Sequence, residues 1–312
     1  MQSEIAVTRN VPAAVFVNPF AGGGRAAPKC AEAHEAFAQR NYAVKFFEAS
    51  SAREFRLNVH RAISEGCDTF VALGGDGTLQ LLVTEIFGRD VRVGVIPAGG
   101  GNDFASALGI PTNVQHAVAV IAEGNSRPVD LLQVRTSDGR DYLYLGGGGI
   151  GLDAEAARHA GGKFMNWPGR LRYVASAITA LQGFSGVEVD VEFPETELPG
   201  IAKRVLLAAV LNTPSYGGGL RLAPGAELDD GLLEVVLLEM LGAREILALL
   251  PRLLFTGELK TGHVTRLRTQ RVRITPRSEA WFHGDGELLG PAPVDVQVLH
   301  KKLCVLTRKS RC

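Results

Sequence analysis

The chain has little that would staple it, anchor it or export it. Its 312 residues include four cysteines, at positions 30, 67, 304 and 312. None forms a Cys-x-x-Cys pair and no histidine lies at zinc-finger spacing. Reduced thiols in a cytoplasmic protein are therefore expected, with no disulfide framework and no structural zinc. The opening MQSEIAVTRN has neither a basic start nor an apolar run, so no secretion signal is expected. No window of about 18 apolar residues occurs. The richest stretch, Leu232 to Phe255, is interrupted by Glu234, Glu239, Arg244, Glu245, Pro251 and Arg252. A spanning helix is excluded, whereas contact with a membrane surface is not. An excess of one charge is also missing. Lys+Arg and Asp+Glu both total 33, which argues against a nucleic-acid partner bound mainly through phosphate neutralisation. No GxxxxGK[ST] segment exists, so a P-loop nucleotide hydrolase is excluded.

Glycine, by contrast, is plentiful and clustered. There are 37, with runs at Gly22–Gly24, Gly74–Gly77, Gly99–Gly101, Gly146–Gly151 and Gly217–Gly219. Glycine in runs marks backbone that comes close to something else. Through residue 128 the chain alternates. Short apolar strands are read at Ala13–Val17, Ala43–Phe47, Thr69–Leu73 and Val91–Ile96. Helices are read at about Pro28–Arg40, Ala52–Glu65, Thr78–Phe87, Asn102–Leu108 and Asn113–Glu123. This is the pattern of βαβ units around a parallel sheet. Ligands bind such sheets at the carboxyl ends of the strands, where three of the glycine clusters fall.

After Pro128 strands dominate, at Pro128–Arg135, Asp141–Leu145, Val187–Phe193, Arg204–Leu211, Leu232–Leu238, Arg271–Thr275, Ala280–His283 and Val294–Val298. Helical interruptions are expected near Ala154–His159, Gly169–Leu181 and Ala243–Phe255. The division is an α/β nucleotide-binding domain over 1–128 and a mainly antiparallel, β-rich second domain over 129–297. The basic tail Arg308–Cys312 reads as a solvated end.

The sharpest motif is Gly74-Gly75-Asp76-Gly77-Thr78, which follows a strand and opens a helix. Amides at a helix N-terminus point at an anion, and glycine lets phosphate reach the main chain. Asp76 would repel bare phosphate, so it makes sense through a Mg²⁺ that bridges it to a nucleotide. The plainer alternative is a tight turn with Asp76 as helix cap. Pro97-Ala98-Gly99-Gly100-Gly101-Asn102-Asp103-Phe104-Ala105 follows the next strand, and there Asn102 either contacts nucleotide or caps a helix. Asn18-Pro19-Phe20-Ala21-Gly22-Gly23-Gly24-Arg25 follows the first strand, with Arg25 either a phosphate partner or solvated. Asp285 and Glu287 read equally as cleft carboxylates or as hairpin-turn acids. Glu227 and Asp230 read as a loop ion site or as a plain acidic turn. Gly146, Gly148 and Gly151 match a dinucleotide fingerprint, but the acidic residue expected about 20 residues later is absent. They read instead as a cleft-lining turn leading to Asp153.

Taken together, the segments Asn18–Gly22, Gly74–Thr78, Pro97–Ala105, Tyr216–Gly219, Pro224–Gly231 and Asp285–Glu287 resemble the diacylglycerol kinase catalytic-domain family of lipid kinases, in family order and over nearly the whole chain. The resemblance implies a nucleotide domain of the NAD kinase/diacylglycerol kinase type and a β-sandwich-like second domain. The last strand, about 298–312, would return to the first domain. It implies ATP as co-substrate and a lipid hydroxyl as acceptor, with diacylglycerol the default and a sphingoid base, ceramide or other lipid alcohol open. It implies that Asp76 holds a catalytic Mg²⁺ and Glu287 is the general base, with Asp285 a further catalytic residue beside it. Glu227, Asp230 and the Leu232 carbonyl would hold a structural Mg²⁺. Asn18, Ser50, Gly74, Gly75, Gly77, Thr78, Gly99, Gly100 and Asn102 would contact nucleotide.

The sequence departs from the family at three places. Gly100 stands where a threonine is usual, Gln80 and Leu81 replace an Asn-Glu pair, and Arg25 replaces a lysine. NAD kinases share Gly-Gly-Asp-Gly-Thr but carry a second glycine- and threonine-rich signature missing here. A non-catalytic nucleotide sensor is the alternative from another class. The stretch 159–172, with Lys163, Arg170 and Arg172 among Phe164, Met165 and Trp167, suits an anionic membrane surface or, equally, a core with solvated bases. The expected location is cytoplasmic with peripheral membrane association. A homodimer is one assembly compatible with the sequence.

Overall fold

The computed structural model of the chain describes residues 12–24, 26–152, 184–242, 245 and 262–309. Four strands, β1 (Ala13–Val17), β2 (Val44–Glu48), β3 (Thr69–Gly74) and β4 (Arg92–Pro97), form a parallel sheet in the order β4-β3-β1-β2. Every residue of β1 and β3 is buried, as expected when helices cover both faces of a parallel sheet. The covering elements are a single turn α1 (Ala21–Gly24) and helices α2 (Ala26–Ala38), α3 (Ala52–Ser64), α4 (Asp76–Ile86), α5 (Asp103–Ala107) and α6 (Val114–Glu123). Their ends follow local chemistry. The Ser51 hydroxyl accepts the Glu54 N–H at 3.2 Å and starts α3. Asn113 does the same for His116 and starts α6, which stops at Gly124 with φ 71°. Inside the lobe, Phe16 stacks between Phe47 and Phe70, at 5.3 and 5.8 Å.

The rest of the chain is antiparallel. It comprises β5 (Ser126–Arg135), β6 (Asp141–Tyr144), β7 (Gly147–Gly151), β8 (Val187–Glu192), β9 (Ile201–Leu211), β10 (Leu233–Glu239), β11 (Val264–Thr269), β12 (Arg271–Pro276), β13 (Trp281–Gly284), β14 (Glu287–Pro291) and β15 (Val294–Leu306). The hydrogen-bonded path runs β14-β13-β7-β9-β8-β12-β15-β4-β3-β1-β2, with β10 and β11 branching from β9, and β5 and β6 from β15. The α/β half and the antiparallel β half expected from the sequence are both present.

Strand β15 stitches the halves together. Its first part pairs antiparallel with β12 and β5, whereas Cys304 and Val305 run parallel to Arg92 and Val93 of β4. The register with β5 slips between Leu299 and Leu303. The fully buried Asp130 fills that slip. Its carboxylate accepts the N–H groups of Lys301 at 2.7 Å and Gly231 at 2.8 Å and faces His300 Nδ1 at 3.0 Å. A buried carboxylate is tolerable because these partners replace its water.

One sequence expectation changes. Gly146–Gly151 does not form a turn throughout, because Gly147–Gly151 is the fully buried strand β7. Its side-chain space is filled by neighbours: a methyl at Gly147 would overlap Leu211 and Tyr216, and one at Gly148 would overlap Phe282. Strands β11 and β14 had no sequence counterpart. The expected helices at Ala154–His159, Gly169–Leu181 and Ala243–Phe255, along with Asp153 and Arg25, lie outside the described residues. Among those described, no helix is long and apolar enough to cross a membrane.

Candidate active site

Strands β3 and β4 end side by side, and each hands the chain to a glycine loop and then a helix. Ala98 N–H donates to the Gly74 carbonyl at 2.7 Å, extending the ladder past the strand ends. Beyond it the two loops cross with no side chain between them. A methyl at Gly75 would lie 3.0 Å from the Gly99 Cα, and one at Gly99 would run into Gly75. Gly74 has no room for a methyl either, because the Thr78 side chain sits over it. The sequence reading gave these glycines to phosphate approach alone. The structure shows that loop-on-loop contact also demands them.

Asn102, at φ 57°, lets the second loop turn sharply. Its side-chain oxygen accepts Gly99 N–H at 2.9 Å and its amide donates to the Gly99 carbonyl at 3.2 Å. Both ends of the side chain thus shape the loop. Asp76, the first residue of α4, aims its carboxylate at the start of α5 and accepts the N–H groups of Asp103 and Phe104, each at 3.3 Å. Asp103 in turn binds the second lobe, accepting Ser215 Oγ at 2.9 Å and Gly218 N–H at 2.7 Å.

The second lobe brings the β13–β14 hairpin to the same place. Asp285 sits at its tip with φ 49°. Its carboxylate receives three backbone N–H groups, from Leu145 at 2.6 Å, Gly146 at 2.9 Å and Gly147 at 3.2 Å. It is an anchor that fixes the hairpin to the strand edge. Two residues on, Glu287 stands over the opening of α4: a methyl at Gly77 would lie 3.4 Å from Glu287 Oε1. No hydrogen bond from a described residue holds the Glu287 carboxylate. Nearby, the Tyr216 hydroxyl meets His283 Nδ1 at 3.0 Å, and Gln80 donates to the Leu143 carbonyl at 2.9 Å, tying α4 to β6.

These groups surround a cleft of about 1070 Å³ between the lobes. Asn18, Ser50, Gly75, Asp76, Gly77, Thr78, Gly99, Gly100, Asp285 and Glu287 all line it, whereas Gly74 and Asn102 do not. Ser50 gives both its N–H and its hydroxyl to Glu54 Oε2, each at 2.8 Å. Ser215 and His283 were not singled out from the sequence, and Asp103 and Tyr216 stood there only as members of motifs, with no site role given to either. The acid of the Asn102-Asp103 pair and the residues before Gly217 were the available signals.

The acids in the cleft press on one another. Burial, then the charge of Asp103, pushes Asp76 up to about 6 against the pull of its amide bonds. Burial, then the charge of Asp76, pushes Asp285 up to about 7 despite its three amides. Burial alone raises Glu287. Among the described residues no cationic side chain offsets Asp76 or Asp285, so the donor chemistry at Asp76 fits a hard divalent cation with phosphate oxygens.

The acidic loop is different. Glu227, Asp230 and Leu232 do not line the cleft. One oxygen of Asp230 accepts the Leu232 N–H at 2.9 Å and the other is ion-paired to Arg268. A guanidinium already stands where the ligand set implied by the resemblance needs a dication. With that guanidinium seated on Asp230, the residues present do not fit a structural Mg²⁺ there.

Residues 12–134 match the family profile described as diacylglycerol kinase catalytic domain. Residues 148–307 match the one described as YegS C-terminal NAD kinase beta sandwich-like domain. A diacylglycerol kinase of Mycobacterium tuberculosis is 28% identical over 294 residues, covering 93% of each chain. A Stenotrophomonas maltophilia protein named "Probable lipid kinase YegS-like" is 33% identical over 239 residues, 73% of this chain and 75% of its own. The crystal structure of a diacylglycerol kinase from Bacillus anthracis superposes with a TM-score of 0.70 at 18% identity, covering 95% of this chain and 97% of that one. At that identity the likeness shows the fold alone.

The crowded acids set a pH dependence. A carboxyl whose folded pKa lies above its unfolded value of about 3.9 is favoured protonated in the fold. That stabilisation is full below the unfolded value and lost as pH rises through the folded one, here about 6 to 7. Urea denaturation of the protein in chelator should therefore show stability falling from about pH 4 to 8. Asp76→Asn, which removes one titrating group and the charge beside Asp285, should make the fall shallower. Identical slopes in the two proteins would show that these acids do not interact.

Proposed function

The chain belongs to the diacylglycerol kinase catalytic-domain family, and we propose that it transfers the γ-phosphate of ATP to the hydroxyl of diacylglycerol, giving phosphatidic acid, with Mg²⁺. The family makes it an ATP-dependent lipid kinase. The finer reading rests mainly on one observation: a raised, unbonded carboxylate from the second lobe faces the N-terminal opening of α4 beside the glycine loops. The names of the mycobacterial and Stenotrophomonas relatives support a lipid acceptor, and the first of them supports diacylglycerol.

The chemistry follows from what each part of the cleft offers. Backbone N–H groups at the start of α4 and the bare main chain of Gly75, Gly99 and Gly100 receive the phosphates. Gly100 contributes no hydroxyl where threonine is usual, so that contact is left to backbone. Asp76 would hold Mg²⁺, which when bound neutralises charge on the phosphate oxygens. Asp285 fixes the hairpin so that Glu287 meets the acceptor at a set distance. As the acceptor oxygen bonds to the γ-phosphorus, the bond to the β-bridging oxygen breaks and ADP leaves. The acceptor proton passes to a Glu287 carboxylate oxygen. The raised affinity of Glu287 for a proton suits a base that works near neutral pH.

The acceptor is membrane-bound, so the reading includes peripheral contact with an anionic surface on the cytoplasmic side, where ATP is available. Lys163, Phe164, Trp167, Arg170 and Arg172, the residues offered for this from the sequence, lie outside the described residues. Their basic-aromatic mixture supports the idea.

Glu287→Gln keeps size and hydrogen bonding but cannot take the proton. Turnover with diacylglycerol should fall by about 10²–10⁴-fold while ATP affinity by titration stays near that of the parent. Turnover within about threefold of the parent, well inside that range, would place the base elsewhere. A parallel panel of diacylglycerol, sphingosine and ceramide with labelled ATP should yield labelled phosphatidic acid first. ATP binding with no product from any acceptor would favour a nucleotide sensor. For membrane contact, Lys163→Glu with Arg170→Glu should reduce sedimentation with anionic vesicles at low salt, and unchanged sedimentation would refute that surface.

A further inference from the structure

The acidic turn before β10 is held by a cation of the protein's own. Strands β10 and β11 pair with Glu234 opposite Arg268. From that position the guanidinium reaches two carboxylates. Its Nε lies 2.9 Å from Glu234 Oε1, and its Nη2 is ion-paired to Asp230 Oδ2. Arg is suited to this, since its planar fork offers several donors in fixed directions. The bridge ties the turn to the strand pair beneath it.

The neighbouring charges are also accounted for. Glu234 is buried, and burial raises its proton affinity against the opposing charges of Arg268 and Arg266, with Asp230 adding to the rise. Asp229 faces Arg127 at 3.8 Å. Asp130, below, takes the Gly231 N–H at 2.8 Å. Glu227 is exposed and belongs to no hydrogen bond among the described residues. A divalent cation needs several anionic oxygens and gives up its water reluctantly. Here it would meet a guanidinium already seated on Asp230. Displacing that guanidinium would strand the buried Glu234 without its nearest counter-charge.

We propose that Arg268 replaces a structural metal ion in this chain, bridging Asp230 and Glu234, so that the turn 224–232 is fixed without a divalent cation. The proposal does not depend on which lipid is phosphorylated.

The test is thermal unfolding of the whole protein without nucleotide, in chelator and in millimolar MgCl₂. Any rise in midpoint with MgCl₂ should be the same within about 1 °C in the unmutated protein and in Asp230→Asn, because an ion that does not bind this turn cannot stabilise the fold through it. Arg268→Gln should melt lower by about 4 °C or more in both conditions, and Arg268→Lys, which keeps the charge and loses the fork, should fall between. Two results would overturn the proposal. One is a rise of several degrees with MgCl₂ in the unmutated protein that disappears in Asp230→Asn. The other is Arg268→Gln melting like its parent. If Arg268→Gln does not fold, Mn²⁺ binding to the unmutated protein decides. A bound Mn²⁺ lost in Asp230→Asn contradicts the proposal, and equal Mn²⁺ binding in the two proteins supports it.

Discussion

The site depends on one crossing of bare backbone. Gly75 and Gly99 meet with nothing but hydrogens between them, because β3 and β4 end in register and both loops must leave the sheet in the same small space. A side chain at either position would push the loops apart. That separation would move the start of α4 away from the start of α5. Asp76 would then lose the two α5 amides it accepts. The amides at the start of α4, the Asp76 carboxylate and the link through Asp103 to the second lobe all inherit their positions from this contact.

The second lobe solves a different problem, which is to hold the Glu287 carboxylate over that loop without a hydrogen bond from any described residue. The solution is indirect. Asp285 spends its charge on three amides of the Leu145–Gly147 segment, and Glu287 is left free of described partners two residues away. The cost is a cluster of acids that repel one another in a place with little water. Family membership makes that cost intelligible, since a kinase cleft is built to receive a cation and phosphates together. At the acidic turn near Asp230 the counter-charge is Arg268, which pairs with Asp230 and Glu234.

Much of this was legible in the sequence. The strands of the first lobe could be read because parallel strands are continuous apolar runs, and Ala13–Val17 coincides with β1. The glycine motifs stood at strand ends, where ligands bind. What could not be read depended on distant partners. Strand β7 is almost all glycine, and only Leu211, Tyr216 and Phe282, far along the chain, make it a strand. The bond of Asn102 to Gly99 could not be read either, because it depends on loop shape. The acidic turn read as an ion site or as a plain turn, and nothing in its own segment announces Arg268, which is brought opposite Glu234 only by the β10–β11 pairing.

The most direct test of the central claim is amide hydrogen exchange with and without a non-hydrolysable ATP analogue and Mg²⁺. The account predicts slowed exchange in the loops around Gly74–Thr78 and Gly99–Asn102, with little change in the turn 224–232. If nucleotide binds, as titration would report, and those two loops exchange as fast as before, the phosphates lie elsewhere and the account is wrong.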